Sequence, residues 1–209
     1  MRSKRVLPLA FFILIFLSVF IHVYGEMRNL SFQAKLGFVS PSENYIHSSL
    51  TGGLGIALPI KGNVSFSLDL GFWKSSVDEK PNKFYKGKMT LIPVLGSLRY
   101  YLLPDKAINP FIFIGTGYVF AHFKMENIIT IPEITISQTV ENGLCLHAGA
   151  GTVIRISESL GMTAEGFYFH RKTTGTTTIS DLNFGMSSKN FSVRLNAFIF
   201  QIGMKYFFK

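Results

Sequence analysis

The sequence is poor in several features that soluble folds depend on. Its single cysteine, Cys145, excludes an intrachain disulfide and any zinc site built on cysteine ligands. Charged residues make up 16% of the chain, whereas an average soluble domain has about 25%. No long helical pattern follows the first 25 residues, so there is no helical core to bury the 21 phenylalanines. A soluble helical domain is therefore disfavoured.

The basic charge balance does not indicate nucleic-acid binding. The formal charge is +9, and three cations near the start, Arg2, Lys4 and Arg5, leave +6 for the rest of the chain. A nucleic-acid site calls for a basic stripe or a basic helix, but the cations here are scattered. One loose cluster contains Lys80, Lys83, Lys86 and Lys88. We expect no nucleic-acid partner, and we interpret this cluster as a surface loop facing anionic lipopolysaccharide.

The first 25 residues have the composition of a signal peptide. The three cations precede an apolar run over residues 6–23. Val23 and Gly25 stand where signal peptidase prefers small or modest residues, so we expect cleavage before Glu26. The alternative is an uncleaved anchor helix. The run is at the short end for a membrane span, and His22 interrupts it.

Much of the remaining domain, residues 26–209, alternates apolar and polar residues with a period of two, which indicates strands. In residues 64–72 every even position is apolar and every odd position is small or polar. The pattern predicts eight strands. They are expected at residues 29–39, 49–59, 62–73, 88–102, 109–123, 141–155, 159–171 and 190–208.

The lengths of the connections predict the architecture. Connections after the even-numbered strands are short, and those after the odd-numbered strands are generally long, up to residues 172–189. Outer-membrane barrels alternate short periplasmic turns with longer extracellular loops in this way. Lipid offers no hydrogen-bond partners to a free strand edge, so the strands must close. We therefore predict an all-β fold, an eight-stranded antiparallel transmembrane β-barrel with both termini in the periplasm.

Aromatic residues cluster at both ends of the predicted strands. Such clusters are typical of the two interfacial girdles of a membrane barrel. The periplasmic set is Tyr100, Tyr101, Phe111, Tyr206 and Phe208. The opposite set is Phe72, Trp73, Tyr118, Phe120, Phe123 and Tyr168. Eight strands leave an interior about wide enough for side chains to fill, so we expect no open diffusion pore.

Five stretches resemble the OmpA-like outer-membrane β-barrel family, the small porin-like barrels without a periplasmic domain. They are IPVLGSLRYY (92–101), NPFIFIGTGY (109–118), LHAGAG (146–151), AEGFY (164–168) and GMKYFF (203–208). The resemblance spans nearly all of residues 29–208 and implies a Gram-negative outer-membrane barrel. Members of this family serve as structural proteins, adhesins and narrow channels, so it does not select one function. Such chains usually end on the aromatic residue, whereas Lys209 follows Phe208 here.

No combination of histidine, serine and acid predicts catalysis. His47 and Ser49 have the His-x-Ser spacing of lipid A deacylase barrels, but no glutamate follows in that strand to orient the histidine. General acid–base catalysis requires such groups within hydrogen-bond reach. We therefore expect no enzyme activity, no catalytic residues, no cofactor and no metal site.

The predicted interior carries the most informative charges. They are Lys35, Asp69, Arg99, Arg155, Glu165 and Lys205. Lone charges in a narrow lumen are costly to bury, so we expect Asp69 and Glu165 to pair with Arg99, Lys35 or both. The candidate site is therefore a lumen charge cluster of Lys35, Asp69, Arg99 and Glu165. It is either a structural polar core or a gate whose pairs exchange to let small solutes pass.

The sequence favours an integral outer-membrane protein, a monomer, with a structural or surface-interaction role through its extracellular loops. Its expected partners are outer-membrane lipid, lipopolysaccharide and an unidentified surface ligand. One alternative is a narrow porin-like channel for ions or small solutes. Another is a soluble lipocalin-like barrel, which would turn its apolar face inward around a ligand. The aromatic girdles and the positive mean hydropathy of +0.29 disfavour the soluble barrel.

Overall fold

The computed structural model describes residues 30–81, 84–104, 106–126, 130–131, 134–181 and 185–208. The predicted signal peptide, its cleavage before Glu26, and Lys209 lie outside these residues. The described strands are β1 (Ser31–Pro41), β2 (Ser49–Lys61), β3 (Val64–Val77), β4 (Gly87–Tyr101), β5 (Ile108–Met125), β6 (Thr130–Ile131), β7 (Ile134–Val140), β8 (Gly143–Arg155), β9 (Leu160–His170), β10 (Lys172–Asp181), β11 (Gly185–Arg194) and β12 (Ala197–Phe207). No helix long and apolar enough to cross a membrane occurs in the described ranges.

Eight of these strands form a closed antiparallel barrel. Around the barrel their order is β1, β12, β9, β8, β5, β4, β3 and β2. Closure comes from β1, which pairs with β12 on one side and with β2 on the other. Every barrel strand therefore has two hydrogen-bonded neighbours, which removes the free edges that hydrocarbon does not tolerate. The predicted strand number, antiparallel pairing and closure are confirmed.

Side chains alternate between the two faces of the barrel wall along most of each strand. On β1, Leu36 is 72% exposed, whereas the neighbouring Lys35 is only 5% exposed. Leu36 is the cross-strand partner of Ile202 on β12, which also faces outward. The wall thus presents apolar side chains outside, whereas a soluble barrel has a polar exterior.

The barrel has a turn end and a loop end. At the turn end, residues 62–63, 102–107 and 156–159 connect successive barrel strands. Gly62 has a φ of 56°, a left-handed conformation that glycine adopts without steric cost in a tight hairpin. The connections at the opposite, loop end are longer, as the sequence predicted.

The longest connection contains two strands, whereas the sequence predicted a loop there. Lys172–Asp181 and Gly185–Arg194 form the hairpin β10–β11, and β7 pairs with β10 and β6 with β7. These four strands form the loop-end sheet, in the order β11, β10, β7, β6. The last barrel strand accordingly begins at Ala197 rather than at residue 190. The threonine-rich segment forms a strand because β-branched residues favour that conformation, but without an apolar alternation to reveal it.

Several predicted girdle aromatics lie inside the barrel instead. They are Trp73, Tyr101, Phe111 and Phe123, all at odd-numbered, inward-facing positions. Of the predicted girdle aromatics, the exposed ones are Tyr100, Tyr206 and Phe208 at the turn end and Phe72, Phe120 and Tyr168 at the loop end. Toward the loop end the lumen is filled by apolar side chains, including Val39, Leu91 and Phe169. The inward-facing charged side chains of the barrel strands lie in the middle of the lumen and toward the turn end.

Candidate functional site: a charged layer in the lumen

Four barrel strands each contribute one charged side chain to the lumen. Lys35 lies on β1, Asp69 on β3, Arg99 on β4 and Glu165 on β9. Each occupies an odd position and is buried. The structure therefore brings together all four residues of the predicted cluster, which we call the charged layer.

The four groups form a closed ring of ion pairs. Lys35 Nζ lies 2.7 Å from Asp69 Oδ1 and 2.6 Å from Glu165 Oε1. Arg99 Nη2 lies 3.2 Å from Asp69 Oδ2 and 3.4 Å from Glu165 Oε2. Each cation thus bridges both carboxylates, and the layer is neutral as a whole. Mutual pairing of this kind offsets the cost of removing four charges from water.

Neighbouring polar groups orient the layer. Gln33 Nε2 donates a hydrogen bond to Asp69 Oδ1 at 2.8 Å, and Arg99 Nε donates to Ser67 Oγ at 2.9 Å. A Cβ at Gly55 would collide with the Asp69 carboxylate, so the absence of a side chain there lets the carboxylate approach the wall. These contacts fix the direction of both acidic and basic groups.

Aromatic rings cover the arginine. The Arg99 guanidinium carbon lies 5.1 Å from the ring centre of Phe111 and 5.5 Å from that of Phe113. A cation held over an aromatic face gains electrostatic stabilisation that strengthens when water is excluded. The inward position of Phe111, which the sequence placed at the interface, is explained by this packing.

The layer leaves some hydrogen-bonding capacity unused. Within the described part of the chain, Gln33 Oε1, Arg99 Nη1 and Glu165 Oε2 have no hydrogen-bond partner. Glu165 Oε2 is within ion-pair distance of Arg99 but does not meet hydrogen-bond geometry. The cavity beside the layer has a volume of about 20 Å³, room for roughly one water molecule. It is not a continuous pathway.

The buried histidine beside the layer forms no catalytic triad. His147 Nε2 lies 2.7 Å from Ser97 Oγ, while its Nδ1 has no hydrogen-bond partner among the described residues. A nucleophilic triad needs a third group that orients the histidine from that second nitrogen. The two nearby carboxylates are engaged by Lys35 and Arg99 instead.

The His47 segment has an acid partner that sequence reasoning missed. His47 Nε2 lies 2.7 Å from Asp78 Oδ2, on an exposed surface at the loop end. Asp78 follows β3, 31 residues away, so no spacing within one strand could reveal it. Ser49 Oγ contacts Ser75 Oγ at 3.0 Å rather than the histidine. These contacts do not assemble the serine, histidine and acid that a deacylase requires.

The other two predicted lumen charges lie toward the turn end. Lys205 Nζ donates a hydrogen bond to the Tyr101 hydroxyl at 3.2 Å, and the Arg155 guanidinium carbon lies 5.2 Å from the ring centre of Phe207. Both border an open vestibule of about 520 Å³. They are not part of the charged layer. No group of three or more metal-ligating side chains occurs among the described residues.

A second buried arginine joins the barrel to the loop-end sheet. Arg171 Nη2 donates to the carbonyl oxygen of Glu141, and its backbone N–H donates to Asn196 Oδ1 at 3.2 Å. Its carbonyl oxygen accepts a hydrogen bond from Leu195 at 2.8 Å. The two connections that form the sheet are thus tied to each other where they leave the barrel.

Comparison with known proteins shows the fold. No family model matches the sequence, and no curated protein matches it. Solved structures do match this chain. The fold is that of small outer-membrane β-barrels. OprG from Pseudomonas aeruginosa is 15% identical with a TM-score of 0.73, covering 86% of this chain and 95% of OprG.

Two further solved outer-membrane barrels show the same likeness. A major outer membrane protein from Thermus thermophilus is 12% identical with a TM-score of 0.61, covering 86% of this chain and 98% of its own. Neisserial surface protein A is 12% identical with a TM-score of 0.56, covering 85% of this chain and 96% of its own. The likeness is to eight-stranded outer-membrane barrels in general and does not single out the OmpA-like family.

Proposed function

We propose that this chain is an integral protein of the bacterial outer membrane that displays the loop-end sheet at the cell surface, where it has a structural or surface-interaction role. The observation that carries the proposal is that two separate loop-end connections fold into one sheet. The pairing of β7 with β10 joins them, from Gly175 opposite Val140 to Asp181 opposite Ile134. Because this surface is already ordered, binding a partner costs less conformational entropy than it would for flexible loops.

The same architecture supports the orientation and the monomeric state that we propose. Short turns at one end and long connections at the other are typical of barrels whose turns and termini face the periplasm. The loop-end sheet then faces the outside. A closed barrel leaves no unpaired barrel strand for a second copy to join, which supports a monomer. Outer-membrane lipid and lipopolysaccharide would surround its apolar wall.

The closed lumen supports a surface role over transport. The charged layer crosses the middle of the barrel, and apolar side chains fill the lumen between it and the loop end. Trp73 and Phe169 meet there edge to face, with ring centres 5.4 Å apart. A hydrated ion has no continuous path past these groups. Nothing in the charged layer assembles catalytic machinery, so we propose no enzyme activity.

A narrow channel is the second candidate. The observation that favours it is the unused hydrogen-bonding capacity of Arg99 Nη1 and Glu165 Oε2 beside the small cavity. An exchange of partners within the charged layer would move these groups and enlarge the cavity. Such a channel would open transiently rather than hold a steady pore.

Electrical recording distinguishes the two candidates. The refolded mature protein, inserted singly in a planar bilayer at 1 M salt, should show no steady ionic current, because the lumen is closed at two levels. Brief openings would favour the gated channel. A steady current through every inserted molecule would contradict the closed lumen and, with it, the surface role as the leading function.

A further inference from the structure

Lysines cluster on the outer face of β3, β4 and β5 at the loop end. Lys88 on β4 and Lys124 on β5 are directly opposed cross-strand partners. In the adjacent row of the same face, Thr90 is opposed by Lys74 on one side and by His122 on the other. We call Lys74, Lys88, His122 and Lys124 the lysine patch. All four side chains are exposed.

Among the residues that the structure describes, no carboxylate neutralises the positive charge of the patch. Like charges directly opposite each other on a sheet destabilise the pair of strands. No described carboxylate lies within ion-pair distance of Lys74, Lys88 or Lys124. Lys86 and Glu126, farther toward the loop tips, are 3.3 Å apart and neutralise each other. An anion that binds at the patch would remove the repulsion between Lys88 and Lys124.

The depth of the patch identifies the surroundings of such an anion. The row below the patch is apolar and outward-facing, with Ile92 opposite Phe120. At about 3.4 Å per residue and a strand tilt of about 40°, His122 lies roughly 5 Å and Lys124 roughly 10 Å above Phe120. Lysine stems can lie along apolar surface while the ammonium groups reach polar headgroups. The patch therefore lies at headgroup depth, directly above the acyl-chain band.

We infer that the lysine patch binds the phosphate groups of a phosphorylated glycolipid in the outer leaflet, the lipid portion of lipopolysaccharide. The occupant must combine acyl chains, which fit the apolar wall below, with anionic groups, which fit three ammonium groups that no described carboxylate pairs. Phosphates are suitable anionic groups because they accept strong charge-assisted hydrogen bonds from lysine. The inference rests on the proposed function, since it needs the barrel in an outer membrane with its loop end outside.

The test compares one lipid with and without its phosphates. Full-length mature protein, refolded in a zwitterionic detergent, is titrated with bisphosphorylated lipid A and with the same lipid after enzymatic dephosphorylation. We expect the wild type to bind the phosphorylated lipid at least tenfold more tightly. The triple variant Lys74→Gln, Lys88→Gln, Lys124→Gln should lose this preference. A loss of about tenfold corresponds to about 1.4 kcal/mol.

A matched variant controls for total charge. The triple variant Lys61→Gln, Lys106→Gln, Lys189→Gln also removes three exposed positive charges, but at the turn end and on the loop-end sheet. It should keep the preference within about twofold. An equal loss in this control would show nonspecific attraction and overturn the site. So would an unchanged preference in the patch variant, or a wild type that binds both lipids equally.

Folding and stability are measured on the same samples. Without lipid, Lys88→Gln alone should raise the urea midpoint of unfolding, because it relieves the repulsion by Lys124. If the triple variant does not fold, the single variants Lys88→Gln and Lys124→Gln carry the binding test. A wild type that forms no heat-modifiable barrel in detergent or vesicles overturns the proposed function itself. A folded, inserted barrel without phosphate preference overturns only the lipid site.

Discussion

Replacing Glu165 with glutamine is expected to lower the free energy of unfolding by about 3–5 kcal/mol, the usual cost of breaking a buried ion pair. Glu165 is 2% exposed and lies within ion-pair distance of both Lys35 and Arg99. Its loss leaves two buried cations facing the single carboxylate of Asp69. Urea unfolding of the refolded barrel measures the change. Trp73, the only tryptophan, reports it by fluorescence, because it packs in the lumen against Phe169.

Two further variants show whether the effect comes from unbalanced charge. The exposed carboxylate of Glu79 is the control, and Glu79→Gln should change stability by less than about 0.5 kcal/mol. Adding Lys35→Met to Glu165→Gln restores a layer with one cation and one anion, so it should recover part of the loss. If Glu165→Gln is as stable as the wild type, Glu165 is solvated and the layer does not stabilise the lumen.

The same variant also bears on transport. Lower stability without new current would support a structural role for the charged layer. Lower stability with new current would support the gated channel, because removal of one partner would then both loosen the layer and open a path. The unfolding and the recordings can be made on one preparation.

Placing arginine at Leu36 or Ile202 is expected to cost about 2–4 kcal/mol in a lipid bilayer. These two residues are cross-strand partners near the middle of the wall, and they are 72% and 53% exposed. In hydrocarbon the guanidinium loses its hydration, whereas in water it would not. Unfolding of the variants in phosphatidylcholine vesicles measures the penalty.

A control position for these two variants lies on the same strand and face as Leu36. Ser40 is exposed four residues beyond Leu36, toward the loop end, so Ser40→Arg places the guanidinium near the interface. It should cost about 0–1 kcal/mol. If all three arginine variants stay within about 0.5 kcal/mol of the wild type, the wall faces water. A transmembrane barrel would then be the wrong description.

The barrel itself could be predicted because a period of two leaves little freedom in which side chains face outward and which face inward. Once Leu36 is outside, Lys35 must be inside, and the same holds along each strand wherever the register is regular. The charged layer followed from the cost of unpaired charge in a narrow lumen. The sequence left open whether each carboxylate pairs with Lys35, Arg99 or both, because the distances depend on the stagger between β1, β3, β4 and β9 around the closed barrel.

Features that depend on tertiary packing were not accessible from the sequence. Phe72 and Trp73 are neighbours on one strand, so only one of them can face lipid, and the structure turns Trp73 inward. The hairpin β10–β11 has hydroxyl side chains on both faces, so its alternation carries no apolar signal. The contact between His47 and Asp78 joins two separate connections. The lysine patch appears only when the register places Lys88 opposite Lys124.

Labelling of single cysteines on intact cells tests most directly whether the chain spans an outer membrane with the loop-end sheet outside. In a Cys145→Ser background, Met186→Cys places a thiol on β11, where the native side chain is 75% exposed. Lys61→Cys places one at the turn end. With a membrane-impermeant maleimide, Met186→Cys should react in intact cells, and Lys61→Cys should react only after the outer membrane is permeabilised. Labelling of Lys61→Cys in intact cells, with Met186→Cys protected, would contradict the orientation, and protection of both until lysis would contradict surface display.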